Sequence, residues 1–177
     1  MEHFDIHTER LILTPLGTRF LRTANEYALD RENTKYMSNL PNESPEETAE
    51  FLREAESEWA KEEPRYYEFA MLREGRHIGA VSIYFEDGIG ELGWIVNRRY
   101  WGNGFAREAA DGLIRCFAER FGTTRFVAHC DAENAASRRT MEKLGMVRTG
   151  ISGGRMNRSA RIVSLEYRYE LVLHGPD

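Results

Sequence analysis

The sequence predicts an α+β (mixed α/β) fold: one central, mostly antiparallel sheet of six to seven strands, splayed at a bulge near Gly93, with helices on both faces. Three observations lead there. Between Tyr66 and Asn97 the apolar runs YYEFAMLRE, HIGAVSIYF and IGELGWIVN are joined by tight turns at Gly75 and Gly88, which allow only antiparallel hairpins. The run FAREAADGLIRCFAERF repeats apolar residues at helical spacing and leads into RFVAHC, so a helical crossover sets a parallel pair at the centre of the sheet. With 177 residues, 41% hydrophobic and 30% charged, and no repeat, linker or low-complexity tract, the chain reads as a single domain over 1–177.

Taken in order, RLILTPL (Arg10 to Leu16) reads as the first strand, with Leu11 and Leu13 on one face and Pro15 near its end. A helical segment follows through Phe20, Ala24 and Tyr27. Ser44, Pro45 and Glu47 then spell a helix start: Ser44 caps, Pro45 has no N–H to leave orphaned, and Glu47 completes a capping box. This helix is read as far as Lys61, with Ala49, Leu52, Ala55 and Trp59 inside and an acidic, solvated opposite face. After the meander, the helix from Phe105 to Phe121 carries Ala106, Ala110, Leu113, Ile114, Phe117 and Phe121 as its apolar stripe, and Gly122 stands where a left-handed terminal residue belongs. RFVAHC is a buried strand. A short helix from Ala135 to Leu144, closed by Gly145, and a long strand from Arg161 to Leu173 complete the chain.

A formal net charge of -5 and a pI near 5.6 argue against nucleic acid or an anionic membrane as partner, since both need a concentrated basic surface. The opening MEHFDIHTER has no leader-like segment, and no apolar run approaches the ~20 residues of a membrane span, so the expected location is cytoplasmic. Cys116 and Cys130 lack C-x-x-C spacing and the five histidines are scattered, so neither a disulfide framework nor a metal is expected.

The stretch WGNGFARE lies between a strand and a helix. It fails the dinucleotide fingerprint, because Arg107 stands in place of the third glycine, and it fails the P-loop, because Phe105 and Ala106 follow Gly104. Two readings stay open: a bare turn, or an anion site in which Gly102 and Gly104 let backbone N–H groups and the helix dipole face a pyrophosphate. Gly93 inside ELGWIV favours the second. A bulge there splays the strand from RFVAHC and frees backbone groups of Ile95, Val96 and Asn97 for an extended amide-bearing ligand. Two amides at one end and a pyrophosphate at the other describe coenzyme A.

The run Arg99-Tyr-Trp-Gly102-Asn-Gly104 matches the R/Q-x-x-G-x-G/A signature of the GNAT superfamily of N-acetyltransferases. Together TERLILTPL, ELGWIVNRRYWGNGFAREA and Asn134-Ala-Ala-Ser137 leading into MEKLGM resemble its RimJ/RimL-type branch, which acetylates protein N-termini and other amines. The resemblance implies acetyl-CoA as cosubstrate and a primary amine as acceptor: a protein N-terminus, a polyamine or another cationic amine. A homodimer is a further expectation of that branch. The backbone of Ile95, Val96 and Asn97 would hold the pantetheine arm. Arg99, Gly102, Asn103, Gly104, Phe105 and Ala106 would cradle the pyrophosphate, Asn134 would bond the pantetheine across the cleft, and Ser137 would lie near the thioester sulfur. Asn134 and Ser137 are also good capping residues for the helix that follows, so that role stands beside the other.

Direct transfer needs a neutral amine, donors for a developing oxyanion and an exit for the proton. The Val96 N–H is a candidate donor and Glu91 the candidate base, while Tyr84, Glu68 and Trp94 are candidates for the acceptor side. Many related enzymes carry a tyrosine four residues after the position of Ser137, where this chain has Met141. Either Ser137 or water then serves the leaving thiolate, or the protein is an acyl-CoA-binding module with little catalysis. Cys130 reads as a small core residue, with an acetyl-cysteine or a mixed disulfide with coenzyme A as its chemical alternatives.

Overall fold

Period-two alternation on the strands and a 3.6-residue stripe on the helices decide what each element buries. The computed structural model describes residues 3–159 and 163–174. In them, strands β1 (Ile6–His7), β2 (Ile12–Pro15), β3 (Tyr66–Arg73), β4 (Arg76–Glu86), β5 (Ile89–Val96), β6 (Arg125–Asp131), β7 (Val147–Met156) and β8 (Val163–Val172) form one sheet of order β1-β2-β3-β4-β5-β6-β8-β7. Only the β5/β6 pair is parallel. Helices α1 (Leu21–Ala28), α2 (Pro45–Trp59), α3 (Phe105–Phe121) and α4 (Ala135–Lys143) cover it.

One face carries Tyr67, Phe69 and Met71 of β3, Val81 and Ile83 of β4, Leu92 and Val96 of β5, and Phe126, Ala128 and Cys130 of β6. These pack with Phe105, Ala109, Leu113, Ile114 and Phe117 of α3 and Met141 of α4 into the main core. Aromatic rings reinforce it at favoured edge-on geometries, Trp59 on Phe69 and Tyr67 on Phe117 both at 5.0 Å between centroids. Ala70 and Ala80 on the opposite face meet Leu16, Ala24, Tyr27, Ala28 and Leu52 beneath α1 and α2. The Ser44 hydroxyl accepts from Glu47 N at 3.4 Å as the cap pattern demands, while Glu47 reaches back to the N–H of Glu43 at 2.7 Å.

The sheet departs from expectation in three places. It has eight strands, not six or seven. Strand β1 lies in what reads as a polar tail, and β7, VRTGISGGRM, combines three glycines with a mostly exposed burial pattern, so it has little alternation to betray it. The bulge near Gly93 is absent: the β4/β5 ladder runs from Glu86↔Ile89 to Gly79↔Val96 without a register shift. The splay is real, because β5 pairs with β6 only at Gly90, Glu91 and Leu92, but it arises from divergence of the two strands rather than from an inserted residue. What Gly93 supplies is room, since a Cβ built there would stand 2.8 Å from Ser82 Oγ. The last strand is described from Val163, so Arg161 and Ile162 of the expected span lie outside the described residues. Among the described residues, no helix is long and apolar enough to cross a membrane.

Phe117 is fully buried between β3, β4 and the ring of Phe121. Phe117→Ala is expected to cost about 3–5 kcal/mol of stability, read as a lower denaturant midpoint at an unchanged slope; a loss below about 1 kcal/mol would contradict this packing.

Candidate active site

The opening between β5 and β6 is the first component. Asn97 N–H donates to Ile78 C=O at 2.8 Å, which fixes the phase of the β4/β5 ladder. Gly93, Ile95 and Asn97 therefore turn their backbone groups toward β4, and Leu92, Trp94 and Val96 turn theirs toward β6. Leu92 is the last of these to meet β6. Trp94 and Val96 consequently line the gap with backbone, except that Val96 C=O already accepts from Asn33 Nδ2 at 3.0 Å and Trp101 Nε1 at 2.8 Å. Of the three expected backbone anchors, Val96 keeps its N–H toward the gap, Ile95 is turned to Ala80, and Asn97 C=O accepts from Tyr100 N–H at 2.8 Å. The Trp94 side chain packs on the main core, on the face opposite Glu68 and Tyr84.

The glycine turn is the second component. Asn97 Oδ1 accepts from Arg99 N–H at 3.1 Å, and Asn103 Nδ2 donates to Tyr100 C=O and Trp101 C=O, both at 3.0 Å, so both asparagine side chains shape the loop itself. Arg99 is exposed beside them. Gly102 and Gly104 have φ of +77° and +78°, the left-handed region that disfavours a side chain. A Cβ at Gly102 would meet nothing within 4 Å, and one at Gly104 only Arg10 Nη2 at 3.7 Å. Helix α3 begins here without a side-chain cap, so the N–H groups of its first turn, from Phe105 and Ala106 onward, stay available to an anion. Phe105 anchors the turn by burying its ring, over which the Arg10 guanidinium lies at 4.6 Å.

Glu108 clamps this arrangement. It accepts from Thr8 Oγ1 at 2.6 Å, Arg10 N–H at 2.6 Å and Arg10 Nε at 2.7 Å, tying the TERL segment to the start of α3. These hydrogen bonds and the arginine hold its carboxyl below the usual range, against the opposing effect of its burial. On the other side, Arg98 pairs with Asp30 at 2.6 Å, and Arg98 N–H donates to Asn33 Oδ1 at 2.6 Å. The turn is held from both flanks.

The third component is the sheet face beneath α1 and α2, where cross-strand register lines up two polar rows: Tyr66, Tyr84 and Glu91, then Glu68, Ser82 and Gly93. His129 joins them from β6. Its Nδ1 lies 2.8 Å from Glu91 Oε1 just where the strands part. An Nδ1–H given to Glu91 leaves Nε2 as a free acceptor. Hydrogen bonding to His129 holds the Glu91 carboxyl below its ordinary value, and the same bond raises the imidazole. Glu91 thus sits at the expected level, but as the partner of a histidine.

The α4 side differs from a simple transfer of roles. Asn134 Oδ1 accepts from Ser137 N–H at 3.1 Å, the helix-cap geometry, which leaves the Asn134 amide N–H₂ and the Ser137 hydroxyl for other partners. Met141 is fully buried in the main core, so the position of the absent tyrosine is a packing site. Cys130 is 2% exposed on the α3/α4 face, and burial pushes its thiol up to about 11. That makes it a core residue and a poor nucleophile.

The alternation of RFVAHCD already places His129 opposite Cys130 in facing, and so toward Glu91. Nothing local marks Asn33 or Glu108, whose partners lie far along the chain.

Comparison with known proteins gives a consistent picture. Residues 10–147 match the family described as Acetyltransferase (GNAT) domain. The chain is 29% identical over 148 residues to the uncharacterized N-acetyltransferase YnaD of Bacillus subtilis (strain 168), covering 82% of this chain and 84% of that one. A GNAT-family acetyltransferase structure from Bacillus anthracis superposes with a TM-score of 0.79 at 25% identity, covering 96% of this chain and 98% of the other. RimL, the ribosomal L7/L12 alpha-N-protein acetyltransferase in complex with coenzyme A, shares the fold with a TM-score of 0.82 at 15% identity, covering 96% and 98%.

Two outcomes test this geometry. Gly104→Glu puts a carboxylate where the uncapped helix start receives an anion, and is expected to weaken coenzyme A binding by at least tenfold in calorimetry while leaving the circular dichroism intact; unchanged affinity would sink the cradle. His129, raised in the folded state, contributes stability that is whole below the ordinary imidazole value and is lost as pH climbs through the raised one. Glu91, lowered, contributes above the ordinary carboxylate value and loses it as pH falls through the depressed one, so the pair is worth most between the two. By NMR, the His129 imidazole should titrate above free histidine and drop in Glu91→Gln.

Proposed function

The chain belongs to the GNAT acetyltransferase family and is an acetyl-CoA-dependent N-acetyltransferase, and from that premise we propose how its residues divide the work. The cosubstrate brings an acetyl group activated as a thioester. The uncapped start of α3, with Gly102, Asn103, Gly104, Phe105 and Ala106 and with Arg99 alongside, takes the pyrophosphate. Trp94 and Val96 offer backbone to the pantetheine amides, and the Val96 N–H faces the gap as the oxyanion donor. The observation that carries this reading is the conjunction of the two: the strands separate after Leu92, and the ungated helix start stands at the open end.

The acceptor is a primary amine delivered on the α1/α2 face, in the manner of the RimJ/RimL-type branch. His129 Nε2 takes the proton that the attacking amine sheds, and Glu91 acts through His129 as a positioning residue, fixing the tautomer and raising its basicity. Ser137 and the Asn134 amide, at the start of α4, are the polar groups on the far side that serve the thiol end. We place the protein in the cytoplasm and read a homodimer as its assembly, both from that branch. A second reading, an acyl-CoA-binding module with little turnover, is kept by one observation, the core packing of Met141 where related enzymes carry an acid.

Thiol release from acetyl-CoA with a panel of amines separates the readings: tight coenzyme binding without acceptor-dependent thiol would favour the module. For the enzyme, His129→Gln is expected to lower kcat/KM by about 100-fold, the scale of one general base. Glu91→Gln should lower it less, on the order of tenfold, and move the acidic limb of the pH profile to lower pH, because an imidazole without its carboxylate loses its proton more readily. A pH profile that stays in place rules out this proton route.

A further inference from the structure

Glu68 stands apart from the other buried carboxylates. It is 7% exposed, on the same sheet face as Glu91 and His129, and its carboxylate accepts one side-chain hydrogen bond, from Tyr84 Oη at 2.7 Å. Asp131, also buried, accepts from Ser164, Asn157 and Glu133 N–H, and Glu58 holds Lys61 and accepts from Arg65 N–H. Among the described residues, no Lys, Arg or His forms an ion pair with Glu68. A buried carboxyl with one donor and no counterion holds its charge only at a cost, which a positive charge brought from outside would offset.

Its surroundings are built for that charge. Tyr66 and Tyr84 stack at 4.5 Å between centroids, 12° from parallel, beside Glu68. Tyr66 feels the carboxylates of Glu58, Glu54 and Glu68, and Tyr84 those of Glu68 and Glu54, with Arg65 the one opposing cation. Stacked phenol rings and carboxylates together favour an ammonium. Ser82 and Gly93 lie directly across the register from Glu68, so only small side chains stand between it and the opening where Glu91 meets His129. Three strand spacings, from β3 to β6, separate the backbones of Glu68 and His129, roughly 14 Å, which the two side chains shorten as they lean toward each other.

We propose that Glu68, Tyr84 and Tyr66 form a cation subsite holding a second, non-reacting ammonium of the acceptor, so that the acceptors this chain selects are aliphatic diamines and polyamines. This deepens the reading above and rests on it for the location of the reacting amine. One ammonium settles against Glu68 and the Tyr rings while the other amine reaches His129 at the opening between β5 and β6. Burial holds the Glu68 carboxyl up at about 7 against the Tyr84 hydrogen bond, so it is partly protonated at neutral pH and gives up that proton when an ammonium arrives.

The test is calorimetry on the full chain loaded with coenzyme A, titrated with putrescine, cadaverine and spermidine against n-butylamine, in buffers of different ionisation enthalpy. Expected are at least one diamine or polyamine binding about tenfold tighter than the monoamine, proton release on binding, and loss of that preference in Glu68→Gln. Equal affinity for monoamine and diamines, or a preference that survives Glu68→Gln, overturns the proposal. If Glu68→Gln does not fold, Tyr84→Phe reads the same carboxyl: stripped of its donor, Glu68 ionises later and the diamine preference moves to higher pH, whereas an unmoved preference counts against it. Because binding is read without turnover, diamine binding with no thiol release would fail the catalytic reading alone, and monoamine acetylation with no diamine preference would fail this one alone.

Discussion

Everything at this site depends on a pairing that stops. Beyond Leu92 and Ala128 the parallel strands β5 and β6 no longer meet, and the Trp94 backbone groups and the Val96 N–H that a continuous sheet would consume are left facing a gap. Unmet backbone groups are expensive inside a protein. A fold keeps such a break only where a ligand or water completes it, and here the break opens onto the glycine turn and the start of α3.

The gap would be worthless if its rim could drift, and the rim is tied by side chains on both flanks. Asn33 contributes both ends of its amide, Nδ2 to Val96 C=O and Oδ1 to Arg98 N–H, while Trp101 adds a second donor to the same carbonyl. Asp30 takes Arg98, and Asn97 Nδ2 reaches Glu26 at 3.0 Å. On the opposite flank Glu108 binds Thr8 and Arg10. Residues early in the chain are thus spent on holding a turn 63 to 100 positions later.

Much of this was legible from the sequence for physical reasons that can be named. The meander and α3 follow from periodicity and from turns that tolerate one geometry, and the glycine turn follows from what glycine alone can do at positive φ. Strand β7 was not legible, because an exposed edge strand with Gly150, Gly153 and Gly154 buries no alternate face. The splay was inferred at the right residue for the wrong reason: Gly93 suggested a bulge, yet it serves Ser82 on the neighbouring strand. His129 was within reach of alternation but hidden by its own ambiguity as a residue type. Asn33, Asp30 and Glu108 were beyond reach, since each acts on a partner that only the folded chain brings near. Met141 was seen as a missing acid, and the fold adds that the position faces the core.

The short ladder between β5 and β6 has a counterpart in the core. Gly90, Glu91 and Leu92 are the whole seam joining the five strands on one side of the sheet to the three on the other. Beyond it the two halves are joined by side chains alone: Leu92 and Val96 of β5, Phe126 and Ala128 of β6 and the buried stripe of α3 share one core. The sheet is thus interrupted as a hydrogen-bonded ladder while it stays whole as a hydrophobic layer, so the opening is cut into the backbone without breaking the core beneath it.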